Sequence, residues 1–267
     1  MENDLLKGTE YASSYLSYSD VLYKHTEEND YSICVLPWGS FEPHGLHLPY
    51  LTDGFLASLV SVLSVDKTNE LKYKFMVLPC VNMGSQNIGQ INKKFCIHYN
   101  TVTQFNILVD TVECLREQGV KVLVIINGHN GNAFKTIVRD VENMYSDFKI
   151  FVCNYLDIIE ENKQHFKSAI DFPEVDDHAG FTETSMMMAY FPQFVRFEYL
   201  DKQKEDKEVP EKIKGMWTPR DWDEVSTFTN IGDPSTSSAE DGTMLMEYVT
   251  HVISKSLIKI YEKWVNV

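Results

Sequence analysis

Ile33-Cys34-Val35-Leu36-Pro37-Trp38-Gly39-Ser40-Phe41-Glu42-Pro43-His44-Gly45-Leu46-His47-Leu48-Pro49-Tyr50-Leu51-Thr52-Asp53 holds the transition on which the fold turns. Its first four residues form an unbroken apolar run, the pattern of a strand covered on both faces. The run gives way to glycine, acid and histidine. A segment of helical period then begins at Asp53, with Phe55, Leu59 and Leu63 four apart. Outward from this unit the same alternation recurs. Apolar runs stand at Phe75–Leu78, Val122–Ile126 and Ile150–Val152. Between them, Val102–Gln118 carries Phe105, Leu108, Val112 and Leu115 on one stripe, and Ala133–Tyr145 carries Phe134, Ile137, Val138 and Val141. Strands alternating with helices imply right-handed crossovers, so the expected class is α/β: a three-layer α/β/α fold with a mostly parallel central sheet.

The second half is less regular. Ala179–Tyr190 reads as a helix and Phe194–Tyr199 as a strand. Asp201–Lys214 mixes charges around Pro210 and reads as a solvated segment, with a lid as the alternative. Ser237 with Glu240 predicts a capping box that opens a long amphipathic helix bearing Leu245, Val249, Val252, Ile253, Leu257, Ile260 and Trp264. With neither repeat nor linker, the 267 residues are expected to form one domain, 1–267.

Charge narrows the partners. Lys and Arg number 24 against 39 Asp and Glu, a net −15 that repels phosphate backbones and anionic lipid. Nucleic acid and membrane are therefore not expected, whereas a small neutral or cationic substrate fits. The cysteines (Cys34, Cys80, Cys96, Cys114 and Cys153) are odd in number and scattered, which suggests reduced thiols. Cys80 reads as a buried small residue rather than a nucleophile, and Met186, Met187 and Met188 read as core. Trp217 and Trp222 flank Pro219 and either line a pocket or cap the core. The first residues lack a signal-peptide pattern, and no apolar stretch, Phe55–Val65 included, is long enough to span a bilayer, so a cytoplasmic protein is expected.

Ligands of open α/β sheets bind at the carboxyl ends of strands, so the residues just past each run matter most. There stand Glu42-x-His44 with Asp53, then Asn127-Gly128-His129-Asn130-Gly131-Asn132, then Asp176-Asp177-His178-Ala179-Gly180 with Glu183. Singly these are weak. With 8 His and 39 acids, chance supplies about one acid-x-His pair, and the chain has two. A capping Asp53 and a hydrogen-bonded His44 would explain the first group, and an incidental histidine in a glycine turn the second. Glu183 is sharper. In a helix it shares a stripe with Met187 and Tyr190, where an acid is costly unless paired or bound to a cation. Together, Glu42, His44, Asp53, His129 and Glu183 offer mixed carboxylate and imidazole donors without thiolate. That chemistry suits Zn, Mn or Fe(II). An Asp using both oxygens would bridge two metals about 3.5–4 Å apart, which acidifies water and removes the need for a Ser or Cys nucleophile.

At these residues the sequence resembles the creatininase family of metal-dependent amidohydrolases. Gly39-Ser40-Phe41-Glu42-Pro43-His44-Gly45-Leu46-His47-Leu48-Pro49 with Thr52-Asp53, Asn127-Gly128-His129-Asn130-Gly131-Asn132, and His178-Ala179-Gly180-Phe181-Thr182-Glu183-Thr184-Ser185 follow its pattern in order. Gly232-Asp233-Pro234 with Glu240 and Gly242 follows a later segment. The resemblance implies two divalent metals, zinc first with manganese or iron as alternatives. It implies Glu42, Asp53 and His129 on one metal, and His44, Asp53 and Glu183 on the other. It implies His178 as the catalytic histidine, donating a proton to the leaving nitrogen or stabilising the oxyanion. It also implies a homo-oligomer, commonly a hexamer. His47, Asn127, Asn130 and Ser85 are expected to support the ligands or line the pocket.

Asn130-Gly131 matches the branch with formamide deformylases and peptide-maturation enzymes rather than creatininase proper, which places Tyr-Glu there. Met83-Gly84-Ser85-Gln86-Asn87-Ile88-Gly89-Gln90 departs from the family's pocket stretch, which makes creatinine a poor expectation as substrate. The expected activity is hydrolysis of a non-peptide C–N bond in a small amide, cyclic amide or formamide. The alternatives are a metallopeptidase trimming a peptide precursor and a non-catalytic binding domain of the same fold.

Overall fold

Among the described residues four strands, every pairing parallel, make the central sheet: β1 (Ile33–Trp38) lies between β2 (Phe75–Val77) and β3 (Val122–Asn127), and β4 (Lys149–Asn154) lies beyond β3. The structure, a computed structural model, describes residues 21–27, 30–69, 74–203 and 213–265. After a short helix α1 (Tyr23–Glu27), the chain runs β1 (Ile33–Trp38), α2 (Thr52–Asn69), β2 (Phe75–Val77), α3 (Thr101–Glu117), β3 (Val122–Asn127), α4 (Phe134–Met144) and β4 (Lys149–Asn154). Then come α5 (Tyr155–Glu161), α6 (Lys163–Phe166), β5 (Asp176–His178), α7 (Phe181–Tyr190), α8 (Trp222–Val225), β6 (Ile231–Gly232) and α9 (Ala239–Trp264). β5 and β6 pair antiparallel beside the main sheet.

The unbroken apolar runs are explained by cover on both faces. Ile33 and Val35 of β1, with Val122, Val124 and Ile126 of β3, face a core built with α2, α7 and α9. The intervening Cys34, Leu36 and Trp38, with Leu123 and Ile125, face a second core built with α3 and α4. Side chains alternate across a strand, so two apolar cores force every position to be apolar. This is the three-layer α/β/α architecture. Its register lines up Trp38, Asn127 and Asn154 at the carboxyl rim, above which the site is built. Met186, Met187 and Met188 are buried in the first core. Among the described residues no helix is long and apolar enough to cross a membrane.

Two expectations are corrected. Phe194–Tyr199 forms no strand; Pro192–Phe194 and Phe197–Lys202 are 3₁₀ turns. Of that segment's aromatic residues Phe194 is an anchor, whereas Phe197 and Tyr199 are exposed. Phe191 and Phe194 both stack on Phe55 of α2, with centroids 5.1 Å away in each case. The cap of α9 is Ser238, one residue later than expected. Its Oγ accepts from the Asp241 amide at 3.0 Å and donates to the Asp241 carboxylate at 2.6 Å. Ser237 instead donates to the Phe181 carbonyl at 3.2 Å. Most of the charged segment Asp201–Lys214 (residues 204–212) lies outside the described residues.

Candidate metal centre

The loop after β1 carries Glu42 and His44, and the first turn of α2 carries Asp53, where free backbone N–H groups favour a carboxylate. The turn after β3 carries His129. β5 ends on His178, and α7 presents Glu183 from its first turn. Between these two, Ala179 sits at φ +48, a left-handed conformation disfavoured for a residue with a Cβ. That bend lets His178 and Glu183 approach the same point. The Glu183 carboxylate accepts from the Ala179 amide at 2.6 Å.

These donors converge out of water: relative exposure is 1% for Glu42, 0% for His44, 1% for Asp53 and 4% for Glu183. His44 Nε2 lies 2.8 Å from Asp53 Oδ1, and His129 Nδ1 lies 2.8 Å from Glu42 Oε1 and 3.3 Å from Asp53 Oδ2. Three sets of donor atoms each fall within 4.8 Å: Glu42, Asp53 and His129; His44, Asp53 and Glu183; and Glu42, His44 and His178. Asp53 belongs to the first two, one oxygen toward His129 and the other toward His44.

Hydrogen bonds fix the imidazoles. His44 Nδ1 meets the Glu42 carbonyl at 3.0 Å, His129 Nε2 the Ser85 carbonyl at 2.7 Å, and His178 Nε2 the Pro43 carbonyl at 3.0 Å. A carbonyl only accepts, so each of these nitrogens carries the hydrogen. The inward nitrogens of His44 and His129 face the carboxylates and, once freed of their protons, could ligate a cation, with the outer carbonyl as the usual support of a metal-bound histidine. Glu42 Oε1 and Asp53 Oδ2 are buried with no hydrogen-bond partner among the described residues, although imidazole nitrogen is close by. Buried carboxylate oxygens gathered with imidazole nitrogens and without thiolate are good ligands, so this donor set fits divalent metal.

Electrostatics reflect the crowding. Burial pushes His44 down, but the Asp53 carboxylate outweighs it and raises the imidazole to about 10. His129 is likewise lowered by burial and raised well above its ordinary value, chiefly by Glu42. Burial raises the Asp53 and Glu42 carboxyls, yet the imidazoles of His44 and His129 respectively carry the net direction down. Glu183 goes the other way: burial lifts it to about 8. His178 is lowered, by burial first and then by the neighbouring His44. Its ring stacks on His44, centroids 4.2 Å apart, and meets the edge of Trp222 at 4.8 Å.

The supporting residues are partly those expected. His47 is buried and joins Thr184 at 2.7 Å on one side and the Gln203 amide on the other. It thereby ties the β1 loop to the residue after Glu183, without joining a donor set. Asn127 donates to the His129 carbonyl at 2.8 Å and accepts from its amide at 3.3 Å, holding the turn shut. Ser85 acts through its backbone carbonyl on His129. Asn130, by contrast, is exposed on the turn. Asn132 takes the structural part, accepting from the Ser85 amide at 3.1 Å and donating to Asn127 at 3.0 Å. Neither glycine of this turn has positive φ. They serve close approach: a Cβ on Gly131 would lie 2.4 Å from both His129 Nε2 and the Ser85 carbonyl. Trp222 is buried against His178 whereas Trp217 is 85% exposed. Burial pushes the Cys80 thiol up to about 11, which keeps it from serving as a thiolate nucleophile.

Sequence reasoning passed over Gln90 and Tyr155. Gln90 is fully buried and donates to the Glu42 carboxylate at 3.0 Å. The Tyr155 hydroxyl is buried without a hydrogen-bond partner among the described residues; burial, then Glu183 and Asp53, push it far above its ordinary value. Neither lies in a motif. The position of Tyr155, just past β4, is the one signal that singled it out.

Comparison with known proteins gives a consistent result. Residues 20–257 match the creatininase family, described as creatinine amidohydrolase. A creatinine amidohydrolase of Pseudomonas putida is 23% identical over 245 residues, covering 84% of this chain and 88% of that protein. A Bacteroides fragilis protein provisionally named a creatinine amidohydrolase superposes with TM-score 0.84 at 33% identity, over 93% of this chain and 96% of that one. A mutant creatininase in a Zn-Zn form superposes with TM-score 0.74 at 21% identity, over 95% and 100% of the two chains, a likeness of fold alone.

Proposed function

The chain belongs to the creatininase family, and from that premise we propose that it is a two-metal hydrolase cleaving a non-peptide C–N bond in a small amide, cyclic amide or formamide. One observation carries the reading: Asp53 belongs to two donor sets at once, Glu42 with His129 and His44 with Glu183. A single buried carboxylate between two such sets is the arrangement a bridged pair of divalent ions requires. Zinc suits the donors best, with manganese or iron as alternatives. When bound, the metals supply Lewis acidity toward the carbonyl and activation of water.

The chain's own groups do the rest. Glu42, His44, Asp53, His129 and Glu183 would hold the metals, and burial excludes bulk water from the reacting bond. His178 Nε2–H is committed to the Pro43 carbonyl, which leaves a lone pair on Nδ1, 3.9 Å from Glu42 Oε1. Lowered by burial, this ring is neutral at neutral pH and accepts a proton before it donates one. We assign to Nδ1 the uptake of the proton lost by the attacking water and its delivery to the leaving nitrogen. Nδ1 carries no hydrogen until it has taken that proton, and the same proton is then owed to the leaving nitrogen, so of the two roles the resemblance offered, proton delivery is the one we assign. The proposal includes the setting: one catalytic domain, 1–267, acting on a small molecule in the cytoplasm as a homo-oligomer, in line with the family resemblance and the acidic, thiol-bearing chain.

The test combines metal content with one substitution. Elemental analysis of protein purified without chelator should find about two equivalents of metal per chain. Asp53→Asn should hold at most one and lose ammonia or amine release across a panel of small amides and formamides. Full turnover in that variant would overturn the mechanism.

A further inference from the structure

Gln90 stands in the stretch Met83–Gln90, where the chain departs from its family's pocket sequence. It is fully buried, and its amide nitrogen meets two oxygens: Glu42 Oε2 at 3.0 Å and the Pro43 carbonyl at 3.3 Å. A carboxylate and a peptide carbonyl both only accept, so both amide hydrogens are spoken for and the side chain cannot flip. Its Oε1 is thereby fixed as an acceptor, and that atom is buried with no hydrogen-bond partner among the described residues. In an amide the oxygen lies about 2.2 Å from the nitrogen, so Oε1 is within about 5 Å of the Glu42 carboxylate. The loop around it is pinned to the far wall of the site: the Trp222 amide donates to the Ile88 carbonyl at 3.0 Å, and the Trp222 ring packs on His178. A buried acceptor left unmatched beside a reaction centre costs stability unless something donates to it.

We propose that Gln90 Oε1 is a specificity-determining acceptor for an N–H of the substrate, so that the substrate class is primary and secondary amides or formamides, with tertiary amides rejected. The inference rests on the two-metal reading above and adds a requirement to it: a donor on or next to the nitrogen that is released. Sites built to meet a substrate N–H discriminate strongly against analogues that lack it, because the protein acceptor is then stranded.

The probes are acetohydroxamic acid, which carries N–H, and its N-methyl derivative. Both bind zinc through their two oxygens, so the nitrogen substituent alone differs at the wall. Dissociation constants are measured by calorimetry on zinc-loaded protein, and their ratio is divided by the ratio for zinc in free solution. Wild type should favour the N–H compound by about tenfold or more, and Gln90→Met, similar in volume without an acceptor, should bring the corrected ratio close to one. Equal binding of the two probes by zinc-loaded wild type would overturn the inference and leave the two-metal reading standing, and this arm needs no variant. Undiminished discrimination by Gln90→Met would also overturn it. Protein that retains no zinc, or retains zinc and binds neither probe, would instead defeat the two-metal reading and this inference with it.

Discussion

Loading the metal-free protein with zinc should expel protons, and the structure gives their number. At pH 7 His44, held at about 10, and His129, raised well above its ordinary value, each carry a proton on the inward nitrogen. Glu183, held at about 8, is roughly nine-tenths protonated there. Glu42 and Asp53 are ionised and His178 is neutral. The metal-free centre thus balances two carboxylates against two imidazolium rings, and protons stand where cations belong. Filling both positions removes one proton each from His44 and His129 and most of one from Glu183, close to three from the side chains, and ionisation of the activated water would add up to one more. Raising the pH to 9 removes most of the Glu183 contribution beforehand, so the release should fall by about one. Calorimetric titration in buffers of different ionisation enthalpy reads this number directly, and a pH-stat gives an independent count. Release of less than one proton at pH 7, or a release that does not decline toward pH 9, would refute the pairing of the inward nitrogens with the carboxylates.

The same protons govern the stability of the metal-free protein. His44 and Glu183 both have folded values above their ordinary ones, so their stabilising contribution is complete at low pH and is lost as pH rises, for Glu183 between 4.5 and about 8 and for His44 between 6.5 and about 10. Melting temperature should therefore fall steadily from pH 6 to pH 10 without metal and far less with metal bound; a flat profile without metal would contradict this. Gly131→Ala places a methyl group between His129 and the Ser85 carbonyl that orients it. Zinc retention against a competing chelator should weaken about 10–100-fold, the usual cost of disturbing a ligand's outer partner, and retention equal to wild type would show that the contact does not orient His129.

The layers were legible because the apolar runs of β1 and β3 leave no polar position for a solvent-facing side, and only a sheet covered twice accounts for that. Helix positions followed from their stripes. The Phe194–Tyr199 misreading has a physical source: aromatic residues favour strands on average, but here Phe191 and Phe194 are held by Phe55, a contact made across more than a hundred residues. The shifted cap arose because Ser237 and Ser238 each have an acid three residues on, and tertiary contact with Phe181 decides between them. At the centre, residue types at strand ends pointed to Glu42, His44, Asp53, His129 and Glu183. Gln90 lay at the end of a stretch noted only for departing from the family's pocket pattern, and Tyr155 just past β4; neither was picked out because a buried glutamine or tyrosine has no spacing that distinguishes it from core. The glycines at 128 and 131 mark a turn in the sequence, and the chain uses them for absence of bulk rather than for positive φ.

The packing of α7 beneath α9 sets a schedule for the chain's synthesis. A Cβ on Gly242 would lie 1.9 Å from the Ser185 carbonyl, so the last helix lies directly on the one that carries Glu183. Leu245, Met246 and Val249 of α9 close the core that also buries Met186 and Met187. Glu42, His44 and Asp53 leave the ribosome early, yet 211 residues separate Asp53 from Trp264 at the end of α9. At common elongation rates of about 5–20 residues per second that is an interval of about 10–40 s. Over that interval the donors emerge in turn, Glu42, His44 and Asp53 first, then His129 and last Glu183, whose helix stays uncovered until α9 follows. A chain stalled before α9 would carry every donor in its sequence and no finished centre.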